Sequence, residues 1–325
     1  MSDYLPFHAI DVVIVNYRTA QLVVSCLESL AAEAGEGLQL RAFVIDNDSR
    51  DGSADAIEAA LLQQDWNWAR VVRSPVNGGF GAGNNQGIDL ALAQERPADL
   101  VWLLNPDTRV MPGAARALAR FMASTPAAGL VGTALLEADG SPWPFAFRFP
   151  SILGEIERGL RWKASSRLLA RHAPLRRMGD RPERADWVSG ASLAIRPALL
   201  WEGLRFDEGY FLYYEETDLC RTVRGQGWEC WYLPQACVLH ISGQSTGITD
   251  PQAKPRRLPA YWFESRHRYF RKNHGRIYAL LADLAWMASH SVFLAKQALR
   301  REQSLDPPRL LADFARHSAF FPRRR

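Results

Sequence analysis

The sequence lacks the features that mark disulfide-rich secreted proteins. Four cysteines in 325 residues form no CxxC pair, and no charged and apolar leader pattern opens the chain. We therefore expect free thiols in a reducing, cytoplasmic compartment. The four cysteines are Cys26, Cys220, Cys230 and Cys237.

Motifs of several nucleotide-binding and membrane classes are also missing. The chain has no GxxxxGK[ST] loop and no GxGxxG directly after its first predicted strand, which argues against P-loop enzymes and dinucleotide dehydrogenases. No apolar run reaches the roughly 18 to 20 residues of a membrane-spanning helix. What remains is an ordinary globular composition, 47% hydrophobic and 23% charged, which suits one large domain or one domain with appendages.

Charge is distributed unevenly along the chain. From Lys254 onward there are 16 Lys and Arg against five Asp and Glu, so this tail carries +11 and the rest of the chain −7. Such a tail favours an anionic membrane surface or a polyanion, and a merely solvated basic face is the alternative.

The first 130 residues alternate between strand and helix patterns. Apolar runs at 10–15, 42–45, 71–72 and 101–104 are each followed by polar residues and then by a helical pattern. The helical patterns cover 22–30, begin near 53, pass through 88–92 and begin at 112. Four successive β-α units predict right-handed crossovers and a parallel sheet with its polar loops gathered at one edge.

The rest of the chain is less regular. We predict a strand from Val131, then an irregular loop or lid with a helix of its own over 140–186. Further strands are predicted at 186–195, 230–233 and 237–240, and a helix at 215–224. Two helices follow, 258–275 and 277–301, and the second carries a thin polar stripe, which indicates packing on the domain or a membrane interface. The stripe consists of Arg276, Asp283, His290 and Gln297.

Polar residues at the strand ends are the candidate binding groups. Asp46 and Asp48 follow a strand, where a carboxylate accepts from a base or a ribose hydroxyl, although Asp48 with Ser53 also suits a helix cap. The glycine-rich stretch 78–87 allows backbone N–H groups to approach a phosphate at a helix N-terminus. Asp107 ends another strand and suits Mg²⁺ together with substrate phosphates, with His240 as a second ligand; a helix N-cap is the alternative for Asp107.

Three acids in four residues begin the helix at 215. Glu215, Glu216 and Asp218 complement the positive end of a helix dipole, which is the structural explanation for them. They also follow four apolar residues, three of them aromatic, at 211–214, which suit a sugar face. One carboxylate there is therefore a candidate general base for a hydroxyl.

Taken together, these segments resemble family 2 glycosyltransferases of the GT-A fold, especially the bacterial rhamnosyltransferase-like group. The resemblance covers about residues 10–245 and rests on five ordered segments: Val15-Asn16-Tyr17, Val44 to Ser49, Asn77 to Asn85, Asn105-Pro106-Asp107, and Tyr214 to Cys220. It implies an α/β, Rossmann-like and mostly parallel sheet flanked by helices, with a C-terminal helical extension. The implied domains are a glycosyltransferase domain at 1–250, with a donor half at about 8–135 and an acceptor half at about 136–250, and a basic extension at 251–325.

The resemblance also implies site residues. Glu216 is the catalytic base, and Asp107 and His240 hold Mg²⁺ or Mn²⁺. The donor-binding residues are Val15, Asn16, Tyr17, Asp46, Asp48, Asn77, Gly78, Gly79, Asn84, Asn85, Asn105 and Asp107. The acceptor-binding residues are Trp187, Gly190, Tyr214, Glu215 and Asp218. Asn105 stands where the family's DxD motif has its first acid, so the metal site depends more on His240.

The implied reaction is an inverting, metal-dependent transfer from a nucleotide-diphosphate sugar, with rhamnose as a candidate, to a saccharide or lipid-linked acceptor in cell-surface polysaccharide synthesis. No nucleic acid partner is expected. Contact of the C-terminal helices with an anionic membrane surface and a homodimer both remain open. The alternatives are a sugar-nucleotide nucleotidyltransferase, whose glycine-rich basic loop after the first strand is missing, and an inactive glycan-binding relative. The lack of a QxxRW pattern argues against a processive synthase.

Overall fold

A computed structural model describes residues 7–35, 37–241 and 256–320. By their contacts the residues divide into two compact units. The first, which we call the sheet unit, comprises segments 1–146, 177–208 and 215–249; the second, the helical unit, comprises 147–176, 209–214 and 250–325. The domain division expected from the sequence stays a prediction.

The described residues form twelve strands and ten helices. The strands are β1 (Ala9–Asn16), β2 (Gln39–Asp46), β3 (Ala69–Arg73), β4 (Leu100–Leu104), β5 (Thr108–Val110), β6 (Ala128–Leu136), β7 (Pro142–Trp143), β8 (Phe145–Phe147), β9 (Leu175–Arg177), β10 (Glu183–Arg184), β11 (Ser192–Ile195) and β12 (Glu229–His240). The helices are α1 (Ala20–Ala31), α2 (Ser53–Gln63), α3 (Gly79–Leu92), α4 (Ala114–Ser124), α5 (Ile152–Leu160), α6 (Lys163–Leu168), α7 (Pro197–Trp201), α8 (Glu215–Gly225), α9 (Ala260–Arg300) and α10 (Leu310–Arg316).

The main sheet has the order β10-β12-β6-β11-β4-β1-β2-β3, with β5 beside β12 and β7 beside β6. The predicted parallel β-α units are confirmed, since β1 pairs in parallel with both β2 and β4, and β2 pairs in parallel with β3. Several strands break the pattern: β5 and β10 are antiparallel to β12, β7 is antiparallel to β6, and inside the sheet β11 is antiparallel to both β4 and β6. Strand β11 occupies only the last four residues of the strand predicted at 186–195.

The side chains of β1 alternate between the two faces of the sheet, as the two-residue period of a strand requires. Ile10, Val12 and Ile14 belong to the core that α1 and α4 complete. Val13 and Val15 point to the other face, where they lie against glycines of α3. A strand that is apolar at nearly every position is therefore explained by burial on both faces.

Two local predictions need correction. The strands predicted at 230–233 and 237–240 are one strand, β12, with a register shift between Leu233 and Cys237. Helix α2 begins after Gly52, and Asp51 rather than Asp48 accepts from the Ser53 amide and hydroxyl. The irregular region 140–186 holds α5 and α6 as well as short strands, so its predicted helix is confirmed.

In the helical unit, α9 is interrupted at Gly275, whose φ of 85° and ψ of 175° are not helical, so the predicted helix end there is confirmed. Of the predicted polar stripe, Asp283 and His290 are buried within this unit, which favours the packed alternative for them. By length and composition, α9 is the one helix in the described part of the chain that could cross a membrane, although a third of its most apolar window is buried. Asp283 and His290 interrupt its apolar pattern, so α9 contains no uninterrupted apolar run of spanning length.

Candidate active site

The carboxyl ends of β1 and β2 lie side by side and bring the first candidate residues together. Asn16 and Asp46 are direct neighbours in the strand register. Asn16 is fully buried; its amide donates to Asp46 Oδ1 at 2.7 Å and to Ser49 Oγ at 3.3 Å, and its Oδ1 accepts from Thr19. These bonds occupy both the nitrogen and the oxygen of the Asn16 carboxamide. Asn16 therefore positions Asp46.

Tyr17 and Asp48 are the accessible residues of this edge. The Tyr17 ring is 37% exposed, and the Arg18 guanidinium lies 5.0 Å from its centroid. Asp48 has a left-handed φ of 58° and forms an ion pair with Arg50 at 2.7 Å. An exposed ring next to two cations and a buried carboxylate suits a nucleotide base and its phosphates.

Asn47, which sequence reasoning missed, connects this edge to the glycine-rich loop. Its amide donates to Asn77 Oδ1 at 2.9 Å and to the Gly79 carbonyl at 3.1 Å, and Asn77 Oδ1 also accepts from the Gly79 amide. Asn47 Oδ1 is buried without a hydrogen-bond partner among the described residues. The predicted loop residues Asn77, Gly78 and Gly79 therefore lie beside the predicted base-binding loop, at the start of α3.

The two asparagines inside α3 make internal contacts. Asn84 donates to the carbonyl of Phe80, one turn earlier. Asn85 donates to the carbonyl of Phe206 and to Glu208, and accepts from the Phe206 amide at 2.9 Å. Both side chains are buried. Asn85 thus fixes the segment at 206–208, and a direct donor contact by either residue stays a prediction.

Asp107 and His240 are brought together by pairing between distant strands. β5 runs antiparallel to the end of β12, with His240 opposite Thr108, and the Ile241 amide donates to the Asp107 carbonyl. His240 Nε2 lies 3.4 Å from Asp107 Oδ1. That oxygen is buried and accepts no hydrogen bond from the described residues. Asn105, half-buried two residues before Asp107, accepts at its backbone carbonyl from the Thr108 amide and hydroxyl.

These two residues fit a divalent cation. A buried carboxylate oxygen without a donor beside an imidazole nitrogen offers two metal ligands, and donor phosphates would supply the rest. Within the described ranges no group of three or more His, Cys, Asp or Glu gathers to hold a metal alone. The site therefore suits a cation that binds together with a phosphate-bearing substrate.

Glu216 lies in the first turn of α8, and burial raises the pKa of its carboxyl group although backbone amides, including that of Gly190, hydrogen-bond to it. Its Oε2 is buried and accepts no hydrogen bond from the described residues. A Cβ on Gly190 would lie 3.2 Å from the Phe80 ring and 3.6 Å from Glu216 Cβ, so the loop before β11 packs closely on the carboxylate. Phe80 was not predicted as a site residue, because an aromatic inside a glycine-rich stretch gives no chemical signal.

The remaining acceptor-side predictions fall into different environments. Glu215 and Asp218 are buried in α8, and Trp187 is half-buried before β11. Tyr214 belongs to the helical unit, where its ring packs on Tyr269 with centroids 5.5 Å apart. Tyr214 and the residue before it, Tyr213, both have left-handed φ values, 69° and 71°, a strained backbone immediately before the acids.

A family model described as glycosyl transferase family 2 matches residues 11–172. Two Mycobacterium tuberculosis proteins, from strains CDC 1551 / Oshkosh and ATCC 25618 / H37Rv, are both named N-acetylglucosaminyl-diphospho-decaprenol L-rhamnosyltransferase. Each is 29% identical to this chain over 317 residues, which cover 93% of this chain and 96% of the relative. The chain belongs to glycosyl transferase family 2. It is an enzyme of rhamnosyltransferase-like type, as the sequence predicted.

Solved structures support the fold of this glycosyltransferase. A mannosyltransferase from Pyrobaculum calidifontis, solved with GDP-mannose and Mn²⁺, aligns with a TM-score of 0.56 at 15% identity over 96% of this chain and 80% of its own. GalNAc-T7, solved with UDP, GalNAc and Mn²⁺, aligns with a TM-score of 0.55 at 15% identity; the match covers 73% of this chain but only 44% of GalNAc-T7. The predicted GT-A fold is confirmed. The two alternatives, a nucleotidyltransferase and an inactive glycan-binding protein, are not supported.

Proposed function

We propose that this glycosyltransferase transfers a rhamnosyl group, with inversion, from a nucleotide-diphosphate sugar to a hydroxyl of a lipid-linked saccharide. The observation that carries the proposal is a pair of carboxylates on the sheet unit, each with a buried oxygen: Glu216, whose Oε2 accepts no hydrogen bond from the described residues, and Asp107 beside His240. The name of the M. tuberculosis relatives supports rhamnose as the sugar and a lipid-linked N-acetylglucosamine as the acceptor.

The reaction is a single displacement in which Glu216 is the general base. The carboxylate accepts the proton of the acceptor hydroxyl, the hydroxyl oxygen bonds to the anomeric carbon, and the bond from that carbon to the diphosphate breaks. Attack from the side opposite the leaving group inverts the anomeric configuration. Because burial raises the pKa of Glu216, the carboxylate is a stronger base than a solvated glutamate.

Asp107 and His240 would hold Mg²⁺ or Mn²⁺. When bound, the cation neutralises the charge that develops on the departing diphosphate. The protein's own contribution is to bury Asp107 Oδ1, which accepts no hydrogen bond from the described residues, and to hold His240 beside it through the β5–β12 pairing. Both aligned glycosyltransferases were solved with Mn²⁺, which supports this proposal.

The donor nucleotide would bind at the edge formed by β1 and β2. Tyr17 supplies an exposed ring for the base, and Asp46, held by Asn16 and Ser49, supplies an acceptor for a base or ribose donor. We place this reaction in cell-surface polysaccharide synthesis at the cytoplasmic face of the membrane, since the acceptor class proposed is lipid-linked.

A donor panel tests this function. Purified enzyme is given a lipid-diphosphate-linked N-acetylglucosamine acceptor and, in turn, dTDP-rhamnose, UDP-glucose, UDP-N-acetylglucosamine or GDP-mannose, with Mn²⁺ or with EDTA. We expect transfer from dTDP-rhamnose that requires the cation, and a product whose anomeric configuration, read by NMR, is opposite to that of the donor. Asp107→Asn should lose the Mn²⁺-dependent part of nucleotide binding in calorimetry, whereas Asp180→Asn, an exposed acid on the same unit, should not. Transfer of another sugar, retention of configuration, or unchanged Mn²⁺ dependence in Asp107→Asn would each contradict the corresponding part of the proposal.

A further inference from the structure

The second half of α9, residues 276–300, differs from an ordinary surface helix in having ionisable side chains on its buried face and an apolar exposed face. Its buried face carries the two ionisable side chains Asp283 and His290. Asp283 pairs with Arg266 and accepts from the Ala319 amide at 2.7 Å, and His290 Nε2 lies 3.3 Å from Asp306. In a water-soluble helix, charged residues normally face solvent and apolar residues face the core.

The outward face of the same helix is apolar along its whole length. Ile277 is 77% exposed, Val292 59% and Leu299 86%. We call this face the apolar strip; its exposed members are Ile277, Leu281, Leu284, Ala288, Ser291, Val292, Ala295, Ala298 and Leu299. Among these residues Ser291 is the only polar one, and none is charged. At 1.5 Å per residue the strip is about 33 Å long, far more than the scattered apolar residues of a normal surface.

Cations stand at both ends of the apolar strip. Exposed Lys272 and Arg276 precede it, and Arg300 and Arg301 follow it, with Glu302 3.7 Å from Arg300. Along its flank, the Lys296 ammonium lies 4.8 Å from the ring centroid of Trp162, which is itself 53% exposed.

The segment that begins at Trp162 adds both apolar and basic surface to the same unit. It exposes Leu168 to 84%, together with Lys163, Arg167 and Arg171. Trp and Lys at the border of an apolar surface are typical of groups that sit at the boundary between acyl chains and headgroups.

We propose that the apolar strip is a docking surface for an anionic lipid bilayer, on which this half of α9 lies in the interfacial plane. An apolar face bordered by Lys, Arg and Trp has the chemistry of an interfacial helix. The inference goes beyond the transfer reaction proposed above and does not depend on which sugar is transferred.

The contacts of α9 favour this partner over two others. A spanning orientation would strip the opposite face of its protein contacts, because Ala279 and Ala282 pack in one core cluster and Trp286 packs with Phe314 in another. Pairing with a second copy, parallel or antiparallel, would bring the cations that border the strip together, with no acid on the strip to balance them. An anionic bilayer offers apolar acyl chains to the strip and negatively charged headgroups to the cations at its ends.

Vesicle flotation tests the proposal. The full-length enzyme is mixed with large vesicles of phosphatidylcholine alone or with an equal part of phosphatidylglycerol, and the floated fraction is measured. We expect binding to the phosphatidylglycerol vesicles. The variant Leu281→Gln/Leu284→Gln/Val292→Gln should bind them about tenfold more weakly, because interfacial affinity scales with the apolar area buried. All three positions are exposed, so the fold should persist.

The matched control is Leu62→Gln, which replaces a leucine that is 85% exposed on α2 of the sheet unit and should leave flotation unchanged. Circular dichroism and donor hydrolysis without acceptor confirm that each variant is folded, so loss of flotation is separable from failure of the proposed reaction. The proposal is overturned if the wild-type enzyme does not float with anionic vesicles, if the triple variant floats as well as wild type, or if light scattering shows a dimer that the triple variant dissociates in the absence of vesicle binding.

Discussion

At the scale of single residues, the carboxyl group of Glu216 stands in an environment that disfavours its charge. A carboxylate prefers water, yet this one is placed under the loop at Gly190, where burial raises its pKa. Its buried Oε2, which accepts no hydrogen bond from the described residues, lowers the stability of the fold. Such a cost is expected where chemistry needs a base of raised strength.

Glu216→Gln separates the catalytic effect of this residue from its effect on stability. Turnover should fall about 100-fold or more, as for the loss of a general base. The fold should become more stable at neutral pH. Because the pKa of Glu216 is raised in the folded state, its contribution to stability is greatest below its unfolded pKa and declines as pH rises through its folded pKa. Glutamine cannot ionise, so the gain in stability of Glu216→Gln should appear at pH values above these pKa values and vanish in acid. Urea unfolding at several pH values, alongside steady-state kinetics, measures both effects.

Glu95→Gln, at an exposed position of the sheet unit, is the control and should change neither quantity. In wild-type enzyme, kcat/KM should fall as pH drops through the raised pKa of Glu216. A Glu216→Gln enzyme that keeps near wild-type turnover would remove this residue from the mechanism.

At the scale of elements, the sequence predicted the strands and helices that depend on neighbouring residues, and not the pairings between distant strands. The four β-α units were predictable because each strand is a short apolar run that ends in polar residues before a helical period. The reversed strand β11 was not, because a strand of four residues carries no information about its direction in the sheet. Likewise, nothing near Asp107 in the sequence indicates that β5 pairs with the end of β12 and so brings His240 to within 3.4 Å.

The predicted site residues show the same difference between local position, which the sequence indicates, and long-range contacts, which it does not. Asp46, Asp107 and Glu216 were selected by residue type and position after a strand or at a helix start, and the structure places each of them there. Asn16 and Asn85 make hydrogen bonds to partners 30 to 123 residues away, which the sequence does not show. Roles for all of these residues in the reaction remain predictions.

Helix α3 approaches β1 so closely that a side chain at Gly87 would overlap the strand. A Cβ on Gly87 would lie 2.2 Å from Val13 Cγ1, and Val13 is itself buried in the sheet. We expect Gly87→Ala to destabilise the fold by about 1–3 kcal/mol, the usual cost of overpacking, despite the better helix propensity of alanine. Urea unfolding measures the loss.

Gly225→Ala is the matched control, since its added Cβ meets no atom within 4 Å. Combining Gly87→Ala with Val13→Ala should cost less than the sum of the two single changes, because the smaller residue at 13 leaves room for the new methyl group. Wild-type stability in Gly87→Ala would show that the helix can shift at no cost.

At the scale of the whole molecule, the two units are stabilised by different means. The sheet unit has one large aliphatic core between its sheet and helices. The helical unit has two smaller aromatic clusters and a buried ionic network, in which Arg266 pairs with Glu155 at 2.7 Å and with Asp283. All three side chains of this network are almost fully buried, and Arg266 also lies over the rings of Phe270 and Phe314.

Removing the cation from this network should therefore destabilise one unit selectively. Arg266→Leu leaves the buried Asp283 without its cation and leaves Glu155 with Arg158 as its ion-pair partner, at 2.7 Å; breaking a buried pair typically costs about 3–5 kcal/mol. In hydrogen exchange, amides of α5 and of both halves of α9 should lose protection, while those of β1, β2 and β4 keep theirs. Arg171→Leu, an exposed cation of the same unit, should change neither pattern. Arg266→Leu, Glu155→Gln and Asp283→Asn together should recover much of the loss, because both buried carboxylates are then neutral and Arg158, the other partner of Glu155, is partly exposed. If Arg266→Leu instead lowers protection equally in both units, the two cores unfold as one cooperative structure, and the division of stability between them argued here is wrong.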